Sequence, residues 1–165
     1  MKAQISFVEY IVSFSIFSVF VAYLFFRLLS YMPAYLNELR GEKLRSEAYQ
    51  LSEFLVNDPG EPVDWQTKPD SLVKRVGLSN IENKTNYLSA DKVKRLAENC
   101  TSNYDLVKRW IGADYQFLLA VSDDSGSISA VCIPTGAIIR GVNATIKRFV
   151  AFDTNSYGEL TVYVW

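Results

Sequence analysis

A chain of 165 residues suits one domain of modest size plus an anchor. Its formal net charge of −1 leaves no global basic field for nucleic acid. It contains no histidine, which excludes Ser-His-Asp and Cys-His sites and histidine-bound metals. No catalytic residues, cofactor or metal are therefore expected.

Residues 5 to 26 are rich in Phe, Val, Ile and Ser and contain one charge, Glu9. About 20 helical residues cross a hydrocarbon core, so this run predicts a membrane helix. A small domain rarely encloses a helix this long and apolar on every face. No clear small-x-small site follows it, as a cleaved secretory signal would require. The membrane segment is assigned to residues 4–33. Glu9 has two readings. A carboxylate in the apolar zone calls for a cation, whereas one at the headgroup boundary is simply solvated.

Arg27 and Pro33 follow, then a second helical stretch from Ala34 to Asn57. Leu36, Leu39, Leu44, Ala48, Leu51 and Leu55 recur at spacings near three and four among charged residues. That is one apolar stripe on an amphipathic helix. Pro33 should bend or locally open the rod, and Gly41 is a weaker point. If continuous, residues 5 to 57 make a rod of roughly 80 Å.

Asp58-Pro59-Gly60 ends this helix, and the segment through Asp70 reads as loop. Residues 58–112 are expected to be loop and short helices. Ser89 is placed to cap a helix through about Asn99, with Val93, Leu96 and Ala97 inward. Asn103 is placed to cap a shorter one ending before Gly112. From Asp114 the period changes to two: Tyr115, Phe117, Leu119 and Val121 alternate with their neighbours. Asp123-Asp124-Ser125-Gly126 is a turn, with too few oxygens for calcium, and residues 128–133 return. Residues 145–152 and 159–165 form a second hairpin. The expected fold is α+β: a long N-terminal helix, half anchor and half amphipathic, packed on an antiparallel sheet over 114–165.

The run Lys2-Ala3-Gln4-Ile5-Ser6-Phe7-Val8-Glu9 resembles the class III signal peptide of archaeal type IV pilins and their relatives. In that class a prepilin peptidase cuts before a Gln that is followed closely by Ser and Glu. The matching cut lies between Ala3 and Gln4 and makes residues 1–3 the leader. Glu9 stands five residues after Gln4, where the family spacing is four. On a helix the extra residue turns the side chain by about 100°. Cleavage would expose an α-amine, the natural partner for Glu9 on the same or a neighbouring subunit. The resemblance continues in Pro59-Gly60-Glu61-Pro62-Val63-Asp64-Trp65, Val76-Gly77-Leu78, Leu88-Ser89-Ala90-Asp91-Lys92 and Tyr104-Asp105-Leu106-Val107-Lys108. It implies a pilin-like head on the long helix. It also implies a structural role as a minor pilin in a surface filament or its membrane platform, with membrane lipid, the peptidase and other pilin-like subunits as partners.

Signals for topology conflict. Arg27, Arg40, Lys43 and Arg45 follow the anchor and only Lys2 precedes it, which by the charge rule favours a cytoplasmic domain. Against this, Cys100 and Cys132 can form a bridge, which persists only in an oxidising place; the alternative is two buried thiols. Sequons at Asn83, Asn99 and Asn143 are a weak excess over chance. With the prepilin-like leader, these place residues 34–165 outside the cell membrane. Two other functions stay open: an anchored extracytoplasmic binding domain that never assembles, and an anchored enzyme whose Asp and Glu converge only on folding.

Overall fold

In a computed structural model of the chain, residues 2–80, 84–126, 128–139 and 141–165 are described, with side chains from Phe7 onward. The chain forms two compact units, Met1–Arg40 and Gly41–Trp165. Helix α1 spans Lys2–Asn57 and contributes to both.

The first unit is helix alone. Its apolar window has a mean hydropathy of 2.0, none of it is buried, and it is long enough to cross a membrane. Serines are tolerated in this run because Ser15 Oγ and Ser30 Oγ donate back to the carbonyls of Ile11 and Phe26, each at 2.8 Å. Pro33 lies inside α1, which continues past it to Asn57. Gly41 is likewise helical.

In the second unit the stripe on residues 41–57 is core. Leu44, Ala48, Leu51, Leu55 and Val56 are all buried. After α1 come β1 (Gly60–Glu61), 3-10 turns at Trp65–Thr67 and Asp70–Leu72, and β2 (Arg75–Val76). The segment read as plain loop is therefore partly structured, because β1 and β2 pair antiparallel. Then follow β3 (Tyr87–Leu88), α2 (Ala90–Ser102), α3 (Tyr104–Ile111), β4 (Phe117–Asp123), β5 (Ser129–Cys132), β6 (Ala144–Phe152) and β7 (Tyr157–Val164).

The main sheet runs β3-β6-β7-β4-β5. The β4–β5, β4–β7 and β6–β7 pairs are antiparallel, as the alternation predicts. The sheet is nevertheless mixed, because β3 joins the edge of β6 in parallel. Two residues carry no readable period. Phe117, Leu119, Val121, Val150, Phe152, Leu160, Val162 and Val164 supply its buried face. Arg148 joins β6 to α1: its Nε donates to Ser52 Oγ at 2.8 Å and an Nη to Glu53 Oε1 at 2.9 Å.

The helix caps divide. Asn103 Oδ1 accepts from Leu106 N at 3.1 Å, and Gly112 closes α3 in the left-handed region at φ 75°. Ser89 makes no side-chain cap. Asp153, from the β6–β7 turn, accepts from Ala90 N at 3.0 Å instead. A distant carboxylate thus serves the first N–H of the helix.

Candidate functional site: the anchor helix and the framework of the head

Ala3 and Gln4 belong to α1, but their side chains, like Met1, lie outside the described residues. Glu9 is exposed, as are Phe7, Val8, Tyr10 and Ile11 around it. The helix by itself gives the carboxylate no cover, so its surroundings must come from lipid, water or another chain. Further along, Arg27 sits between Tyr23 and Tyr31, one turn to either side. It donates to their hydroxyls at 3.3 and 3.4 Å. Tyrosine and arginine together suit the headgroup level, where an apolar body meets a polar tip.

In the head, Cys100 on α2 and Cys132 on β5 are joined by a disulfide, with Cα atoms 5.3 Å apart. Both residues are buried. The bond fastens the edge strand β5 to α2.

The sequons fall in different settings. Asn83 lies outside the described residues. Asn99 is buried, 8% exposed, beside the disulfide on α2. Asn143 sits in the loop before β6, where its Nδ2 donates to Gly141 O at 3.3 Å.

The loose motifs of the middle region converge on the end of α1. Trp65 is buried, and its Nε1 donates to Gly77 O at 2.8 Å. Gly60 and Gly77 are packing requirements. A Cβ on Gly60 would stand 2.5 Å from Trp65 Cδ1, and one on Gly77 would stand 2.0 Å from Asp58 O. Lys92 completes the cluster. It is 2% exposed, and its ammonium donates to Pro59 O and Ser79 O, each at 2.8 Å. Burial pushes its pKa down, opposed by the carboxylates of Asp58 and Asp64. The other motif works in the same way. Tyr104 Oη donates to Phe117 O at 3.0 Å and accepts from Phe117 N at 2.9 Å, locking α3 to the start of β4. Burial raises the Tyr104 pKa. Lys108 Nζ donates to Asp114 O at 3.1 Å.

Comparison with known family models, curated proteins and solved structures finds no match.

Among the described residues no three His, Cys, Asp or Glu side chains are placed to hold a metal ion. In the acidic turn, Asp123 Oδ1 accepts from Ile128 N at 2.9 Å, so this carboxylate holds backbone. What sequence reasoning missed is Lys92. Its signal was present: Lys92, Leu96 and Cys100 recur every four residues, which puts the lysine on the buried face of α2.

Proposed function

We propose that this chain is a structural subunit, a minor pilin, of an archaeal type IV pilus-like filament or its membrane platform. It is inserted by α1, cut between Ala3 and Gln4, and carries its head outside the cell membrane. The observation that carries this reading is the division of α1. Its first part is apolar and wholly exposed, and its last part is the core of a separate unit. Such a helix serves both bilayer and head, and the prepilin-like run Lys2-Ala3-Gln4 abuts it. The disulfide supports an oxidising location for the head.

The test is the mass of the intact protein taken from its native membrane. It should lack the first three residues. A mature chain that still begins at Met1 would remove the pilin reading and leave a simple anchor.

The anchored binding domain is the second reading. It is favoured by Phe149 and Tyr157, 85% and 71% exposed, which flank an open groove of about 620 Å³ on the sheet. Leader processing separates the two, because an assembling subunit must be cut to leave the membrane.

Glu9→Gln is the assembly test. The variant keeps the side-chain shape and removes the charge. Insertion and cleavage should proceed, while incorporation into sheared filaments falls several-fold for want of an ion pair to the Gln4 amine. Equal incorporation of variant and parent would make Glu9 an interfacial residue only.

A further inference from the structure

Two of the three sequons lie wholly among the described residues, and the elements that hold them set them apart. Asn143-Ala144-Thr145 enters β6, and Asn99-Cys100-Thr101 lies inside α2. In an extended chain, residues i and i+2 point to the same face. Asn143 and Thr145 are accordingly both exposed, with Ala144 buried between them. On a helix two residues turn the chain by about 200°, which puts i and i+2 on nearly opposite sides. Asn99 is accordingly 8% exposed, while Thr101 faces solvent.

The hydroxyls divide in the same way, and an acceptor motif needs its hydroxyl residue as well as its asparagine. Thr101 Oγ1 donates to Ala97 O at 2.9 Å, a back-bond within the helix. The disulfide from Cys100 to Cys132 further ties the α2 sequon to β5. Thr145 has no side-chain hydrogen-bond partner among the described residues. Asn143 has one weak tether, the 3.3 Å contact from its Nδ2 to Gly141 O in the same loop. A sequon by itself arises by chance. An asparagine and a threonine that share one exposed face at the entry to a strand form the surface-loop setting in which a transferase can reach both.

We propose that Asn143 is the acceptor of an N-linked glycan and that Asn99 stays unmodified. In the transfer, Asn143 Nδ2 bonds to the anomeric carbon of a glycan carried on a lipid phosphate. The bond from that carbon to the phosphate oxygen breaks, the lipid phosphate leaves with the electron pair, and Nδ2 gives up one proton. The glycan adds a bulky solvated group to the connection 133–143, which exposes Ile133, Ile138 and Ile139. This modification rests on the head lying outside the cell membrane, as the proposed function has it; it does not depend on cleavage after Ala3 or on assembly.

The experiment uses the full chain from its native membrane, digested with trypsin and read by mass spectrometry. Cleavage after Arg140 and Lys147 releases residues 141–147, which hold one sequon. That peptide should carry an added glycan mass on Asn143, and the peptide holding Asn99 should carry none. Asn143→Gln and Thr145→Ala should each lose the modification and migrate faster on denaturing gels. Thr145→Ser keeps the hydroxyl and should keep the glycan. In parallel, a membrane-impermeant amine reagent applied to intact cells should label Lys74, whose side chain is 76% exposed. Labelled Lys74 together with a bare 141–147 peptide would overturn the acceptor assignment alone. So would a glycan on Asn99 in place of Asn143, or one on Asn143 that survives Thr145→Ala. Unlabelled Lys74 together with a bare peptide would overturn the outside location and the glycan together.

Discussion

Replacing Cys100 and Cys132 together by serine should lower the stability of the head by about 3 to 4 kcal/mol. The bond joins residues separated by 32 positions, and its removal returns that loop's freedom to the unfolded chain. It also releases β5, a four-residue edge strand whose one sheet neighbour is β4. The double variant should unfold at a midpoint roughly 10 to 20 °C below the parent, read by near-ultraviolet circular dichroism in detergent. Reducing the parent should move its midpoint to the same place. An unchanged midpoint in both would show that the bond carries no stability. The same cysteines report location. In protein taken from its membrane and denatured without reductant, neither thiol should alkylate. Alkylation of both would place the head in a reducing compartment and return the charge rule to favour.

Lys92→Ala should cost about 2 to 4 kcal/mol, because it leaves the carbonyls of Pro59 and Ser79 without their donor and opens a hole in the core. Lys92→Met keeps the stem and should cost less. The two variants also lack a pH dependence that the parent should show. Burial holds the folded pKa of Lys92 below its unfolded value of about 10.4. Below the folded pKa both states are protonated and the cost of burying the charge is fully present. Between the two values the unfolded chain binds more protons, so the parent gains stability as pH rises. Tyr104 acts in the other direction. Its raised folded pKa keeps the phenolic proton while the unfolded chain loses it near pH 10, and stability falls. The informative quantity is therefore the difference between parent and Lys92→Met, measured by urea unfolding as the pH is raised to the unfolded lysine value of about 10.4, in which the Tyr104 contribution cancels. A difference that stays flat with pH would mean that the ammonium is not desolvated.

Elements with a repeating pattern were legible in the residues. The apolar run was legible from its length and composition, and the stripe from Leu44 to Leu55 and the alternation of Phe117, Leu119 and Val121 each repeat one period often enough to specify both structure and buried face. The Asn103 and Gly112 ends of α3 were legible for a local reason, since each acts within a few residues of itself. The Ser89 cap does not form, and a carboxylate 63 residues from Ala90 accepts from the first N–H of α2. β3 was invisible because it has no period, and exists only where Asn86 O accepts from Ala151 N and Leu88 O from Asp153 N.

The sequence alone determined that this chain has a helix fit to cross a membrane, an α+β head, and two cysteines available for one bond. These follow from composition and short-range periodicity, which survive without knowledge of partners. Tertiary structure decided the rest. It brought Cys100 to Cys132, closed Trp65, Gly77 and Lys92 around the end of α1, buried Asn99 and left Ile138 and Ile139 exposed. Each of these depends on residues far apart in the chain meeting at a few ångströms, and no local pattern encodes such a meeting.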